Sequence, residues 1–180
     1  MSRSPHETGN LAWPAALAAV AIIGTLATAC MMPWVAIATI TALTAGRGSA
    51  MLTIGGIWAV NQVIGFGLLG FPVDAYAISW GVALAGATMV AMFVSALLLD
   101  GRRTVGLRLG IAFAGAFVAF ELLLFAFALV RGGTDTFTPE IVGQLFANDS
   151  LWFAGLLGLR LMLTRAAPQL FGPALSLRAA

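Results

Sequence analysis

The sequence predicts an all-α, polytopic transmembrane bundle of six spans with both termini cytoplasmic, and three observations lead there. The first is composition: 61% of the 180 residues are hydrophobic, 9% are charged, and the mean hydropathy is +1.00. Soluble domains carry about 25% charged residues, so this chain lacks the charge to cover a water-facing surface. The second is length: apolar blocks at 11–45, 51–71, 75–99, 105–130 and 151–164 fill most of the chain, and a span needs about 20 apolar residues to cross about 30 Å of hydrocarbon. The third is the placement of arginine, which fixes the orientation.

Residues 1–10 are a polar cytoplasmic tail, and 11–165 form a single transmembrane domain. The block 11–45 would make a helix of about 52 Å, too long for one ordinary crossing. Pro33 removes a helical donor and disfavours helix in the residue before it, so the block divides into spans 11–31 and 34–45. If it is instead one broken helix, the bundle has five spans. Ala27-Thr28-Ala29-Cys30 loosely resembles a lipoprotein cleavage box, but the preceding tail has a weak basic region and Ala27 stands where such a box favours Leu. The segment is therefore read as a retained span. Cys30 is the only cysteine, which excludes an internal disulfide and CxxC chemistry.

Spans 51–71, 75–99 and 105–130 follow, then an outer loop. In that loop Thr138-Pro139-Glu140 combines a capping hydroxyl, a proline at the first helical position and an acid at the positive helix end. It predicts a short interfacial helix over 139–147. Asp149 or Ser150 then caps the last span, 151–164, and 166–180 is a cytoplasmic tail. Asn148-Asp149-Ser150 fits a glycosylation sequon, discounted for a bacterial composition. In this arrangement Arg3, Arg47, Arg102, Arg103, Arg108, Arg160, Arg165 and Arg178 fall inside and Arg131 alone falls outside, a strong positive-inside bias. The chain has nine basic residues, all arginine. With its abundant Ala, Gly and Leu, that points to a GC-rich bacterium and to its cytoplasmic (inner) membrane. The net charge of +2 reflects topology rather than nucleic-acid binding.

Polar groups at membrane depth are the strongest functional pointers, because hydrocarbon offers them no partner. Asn61 and Gln62 lie in the middle of the third span, and Glu121 lies inside the fifth at a similar depth, with Phe113, Phe117 and Phe125 at helical spacing. Glu121 reads either as a ligand-binding acid, cation site or proton carrier, or as a structural partner of Asn61 or Gln62. Trp34, Tyr76, Trp80 and Trp152 fall at outer span ends. They form an interfacial belt or the aromatic mouth of a pocket to which Asn148 and Asp149 add polar contacts. Gly65-Phe66-Gly67-Leu68-Leu69-Gly70 matches GxGxxG literally but ends an apolar span rather than joining a strand to a helix. Small residues four apart, as in Ala15/Ala19, Gly106/Gly110 and Gly115/Ala119, let helix backbones approach. His6 is the only histidine, so a bis-His haem and a Ser/His/Asp triad are excluded. No His/Cys metal cluster or nucleotide loop is found, and neither an enzyme nor a cofactor is expected.

Six spans in about 180 residues, cytoplasmic ends, a helix in the last outer loop and the run Ala15-Ala16-Leu17-Ala18-Ala19 together resemble the substrate-binding component of energy-coupling-factor transporters. The resemblance implies that Ala15 and Ala19 contact a membrane coupling subunit. It also implies an outward pocket roofed by outer loops, near Trp34, Trp80, Asn148 and Trp152, that binds a small molecule without any ATPase in this chain. Two alternatives stay open: an accessory or assembly subunit of a larger membrane complex, and a small proton- or cation-coupled carrier using Glu121.

Overall fold

The computed structural model describes residues 11–28, 32–100 and 105–172. They form seven helices and no strand: α1 (Ala12–Thr28), α2 (Trp34–Thr44), α3 (Arg47–Val63), α4 (Ala75–Leu99), α5 (Val105–Arg131), α6 (Pro139–Ala166) and α7 (Pro168–Phe171). Three helical stretches are long and apolar enough to cross a membrane: Arg47–Leu68, Ala75–Leu99 and Gly106–Arg131. Large apolar side chains such as Leu52, Val82, Leu97, Val118, Leu122 and Leu151 stand exposed on the outside. A surface of that kind needs lipid against it. The protein is a helical membrane protein.

The block 11–45 forms two separate helices, with Pro33 at the N-cap of α2; residues 29–31 between them lie outside the described residues. At 11 residues α2 is about 16 Å long, roughly half a crossing. Its sequence is apolar on every side, which suits a protein interior or lipid alike. Residues Val35 to Ile40 are wholly buried, enclosed by α3, α4, α5 and α6. The Thr39 and Ser95 hydroxyls meet at 2.9 Å, tying α2 to α4. Ser95 lies about 30 Å along α4 and Thr39 only about 7 Å along α2, so α2 begins deep in the bundle and leaves space above it. Trp13 of α1 donates from Nε1 to Thr44 Oγ1 at 2.8 Å at the far end.

Helix α6 differs from the expectation of an interfacial helix over 139–147 followed by a span over 151–164. It starts at the predicted cap, with Thr138 Oγ1 accepting from the Ile141 N–H at 3.3 Å, but runs unbroken for 28 residues to Ala166. Neither polar residue expected to cap a second helix does so. Ser150 Oγ donates back to the Phe146 carbonyl at 2.7 Å, and Asp149 turns inward to α2. Arg160, expected at the cytoplasmic end of the last span, is buried at 6% exposure. Within 166–180 the residues Pro168–Phe171 form α7, and Phe171 packs on the core rather than trailing in a tail.

The glycine-rich end of α3 is a π-helical turn, Ile64–Leu68, closed by Gly70 at φ 69. That left-handed backbone favours glycine. Phe71 folds back, its N–H donating to the Gly65 carbonyl at 3.0 Å, and its ring lies where a side chain on Gly65 would stand. No phosphate-loop geometry is present: the segment closes a helix.

Candidate functional site

The space above α2 is a cavity of about 220 Å³. Its floor is the α2 N-terminus, and its walls include Trp34, Trp80, Leu84, Phe120, Glu121, Phe137 and Asp149. Pro33 has no side-chain group with which to cap α2, and the first-turn N–H groups of a helix lack intrahelical partners. Asp149 supplies the acceptor from 113 residues away in sequence. Its Oδ1 accepts from the Ala36 N–H at 2.8 Å, and the carboxylate also accepts from the Val35 N–H. The positive end of the α2 dipole further favours an anion there. Asp149 is 4% exposed, while Glu121 is half-buried and faces the same chamber. Two acids, one held by a helix end and one without such a cap, thus share an aromatic-walled space.

A second chamber of about 470 Å³ adjoins the first. Asn61, Gln62, Phe66, Tyr76 and Gly81 help to line it, and Trp80, Leu84 and Thr136 are common to both chambers. Trp80 is the partition. Its ring stands edge-on to Phe127 at 5.0 Å and to Tyr76 at 6.4 Å, and its buried Nε1 has no hydrogen-bond partner among the described residues. A buried indole N–H ordinarily has one. Gly81 gives the amides their room, because the Gln62 side-chain oxygen occupies the position a Cβ on Gly81 would take. Trp58 Nε1 donates to the Gly81 carbonyl at 2.7 Å, pinning α3 to α4 beside them.

The structure brings together Glu121, Trp34 and Trp80 in one chamber and Asn61, Gln62 and Trp80 in the other. Of the two readings of Glu121, the structural bond to Asn61 or Gln62 is not seen among the described residues, because the amides line the other chamber. Gln62 Nε2 instead lies 3.5 Å from Asn61 Oδ1, a long contact. Trp152 and Asn148 line neither chamber. The Trp152 ring packs into α1 at Gly24, where a Cβ would collide with it, and it borders an apolar cavity with Val20 and Leu156. Helical geometry explains Asn148: its neighbour Asp149 takes the face toward α2. Ala15 and Ala19 are exposed on the outer face of α1, opposite the buried Trp13 and Leu17. The phenylalanine stripe belongs to packing more than to the site, since Phe113 stacks on Phe153 at 5.0 Å and Phe117 meets Phe146 edge-on at 5.0 Å.

Asp149, expected as a cap of the last span or at an aromatic mouth, stands instead at the base of the chamber, and Phe120, Phe137 and Gly81 are not among the expected site residues. The one available signal was Pro33 itself, because a buried helix that starts at proline must find an acceptor elsewhere. No protein-family description, curated protein or solved structure matches the chain.

Proposed function

We propose that this chain is the small-molecule-binding subunit of a multi-component uptake transporter in a bacterial cytoplasmic membrane, and that its ligand carries a cationic group. The observation that carries the reading is the chamber in which Glu121 and Asp149 face an enclosure of Trp34, Trp80, Phe120 and Phe137. Aromatic faces attract cations, most strongly when desolvated, and the acids supply the opposite charge. An organic cation fits better than a metal ion: among the described residues no three His, Cys, Asp or Glu side chains cluster. The amide chamber beyond Trp80 suits a planar, polar remainder, held by Asn61, Gln62 and the free indole N–H.

In this reading the chain crosses six times with both ends cytoplasmic, α2 being a half-length span on the inner side. A half-helix whose N-terminus ends at mid-depth beside a substrate cavity is a recurrent transporter device. The exposed Ala15 and Ala19 give α1 a smooth outer face for a membrane coupling subunit. The likeness to energy-coupling-factor components rests on this architecture and on that face. The chain itself is proposed to have no enzymatic activity.

The test is native mass spectrometry of the purified protein together with its thermal protection by benzyltrimethylammonium as a probe of the cation chamber. The wild type is expected to carry a small molecule and to be protected. Glu121→Gln and Trp80→Phe are expected to lose both while unfolding at the wild-type temperature. Co-purification with a fixed protein partner and no bound molecule would favour the accessory-subunit reading. Transport by the reconstituted chain alone, abolished in Glu121→Gln, would favour the carrier.

A further inference from the structure

The opposite end of α2 holds a buried cation. Arg160 is 6% exposed, its Nε and Nη1 are enclosed without a hydrogen-bond partner among the described residues, and its guanidinium lies 4.9 Å from the centre of the Trp13 ring. A guanidinium out of water and unpaired is costly unless an anion meets it. It faces a cavity of about 290 Å³ whose lining includes Trp13, Thr44, Gly46, Ser49 and Phe171.

The start of α3 forms part of that lining. Its N-cap is Gly46, no side chain caps it, and its first turn contains no acid. The first-turn N–H groups are therefore open at the positive end of a 17-residue helix. A side chain on Gly46 or Gly48 would meet nothing within 4 Å, so a ligand can approach that backbone closely. The carbonyl end of α2, at Thr44 and Ala45, borders the same space. Its dipole offsets part of the guanidinium charge without bonding Nε or Nη1.

We propose that this cavity is an anion site for a phosphate-type group, held between Arg160 and the α3 N-terminus with help from the Ser49 hydroxyl. Helix N-termini and arginine both bind phosphate groups well, and here they converge from different helices. The group is either an anionic lipid headgroup or soluble phosphate. The site is separate from the cation chamber and does not depend on the transport reading.

The experiment uses the full-length protein in detergent, comparing wild type with Ser49→Asp, Arg160→Gln and Gln169→Glu. Binding of phosphatidylglycerol against phosphatidylcholine is read by native mass spectrometry, and protection by inorganic phosphate is read by thermal unfolding. Ser49→Asp puts a carboxylate at the third residue of α3, a position favourable for an acid. It is expected to fold at least as well as wild type yet to weaken phosphate-group binding about tenfold or more, the worth of a charge-assisted hydrogen bond. Arg160→Gln is expected to lose binding similarly. Gln169→Glu adds negative charge at an exposed position outside the cavity and is expected to bind as wild type does. Preference for phosphatidylglycerol alone identifies a lipid source, and protection by phosphate alone a soluble one. If neither probe distinguishes wild type from Ser49→Asp, or if Gln169→Glu loses as much binding as Ser49→Asp, the site does not exist. Should Arg160→Gln fail to fold, Ser49→Asp decides.

Discussion

Asp149→Ala removes the one side chain that caps α2 among the described residues. The Val35 and Ala36 N–H groups that it serves are fully buried, so they lose their acceptor except where water from the chamber above reaches them. Each buried donor left unsatisfied costs about 1–3 kcal/mol, and loss of the favourable charge at the helix end adds up to about 1 kcal/mol. The expected destabilisation is thus about 3–5 kcal/mol, allowing for partial relaxation of the first turn. Asp149→Asn keeps an acceptor oxygen in nearly the same place and loses only the charge; its cost should be about 1 kcal/mol. Reversible unfolding in detergent, followed by circular dichroism or by fluorescence of the tryptophans around α2, measures both variants. Probe binding to the cation chamber should fall in both, because each removes one of the two acids. Equal destabilisation by Ala and Asn would refute the reasoning, since it would mean that charge rather than hydrogen bonding holds α2. Wild-type stability in Asp149→Ala would refute the cap altogether.

Two further predictions concern helix seams. Gly24→Ala should destabilise by about 1–3 kcal/mol, because a methyl there overlaps the Trp152 ring; combining it with Trp152→Leu should recover much of the loss in the same unfolding assay. The buried hydroxyl pair Thr39 and Ser95 should show a coupling of about 0.6 kcal/mol in a double-mutant cycle with Thr39→Val and Ser95→Ala, the scale of interhelical hydrogen bonds in membrane proteins. Additive single effects would show that the two hydroxyls act independently.

Much of this arrangement is legible locally. Residues 75–99 coincide with α4 because an uninterrupted apolar run, opened by Asp74 as N-cap, leaves no competing boundary. Pro33 divides the first block through its own ring chemistry. The brevity of Trp34–Thr44 marks it as less than a full crossing, while its even hydrophobicity suits protein or lipid alike. What escaped is what depends on distant partners. Asn148-Asp149-Ser150 has the composition of a loop, and only the meeting of Asp149 with α2 makes it compatible with the middle of a helix. Arg160 looks like a topology signal because arginines near span ends usually are; its cavity is assembled from α1, α2, α3 and α7. Trp152 lies at a predicted span end yet serves the α1 seam, since Gly24 offers its ring a recess. The division of Glu121 from Asn61 and Gln62 could not be read from depth alone, because it depends on which way Trp80 faces.

The two ends of α2 are both met by one helix: Asp149 stands at its start and Arg160 borders its finish. These residues are 11 positions apart on α6, and α2 is 11 residues long. Helix α6 therefore acts as a ruler against which α2 is measured. A slide of one past the other by a single turn would carry the carboxylate away from the amides and the guanidinium away from the carbonyls together. A slide would have to break the Asp149 hydrogen bonds to α2, so a motion that widens the cation chamber by moving α6 is expected to carry the buried half-helix with it.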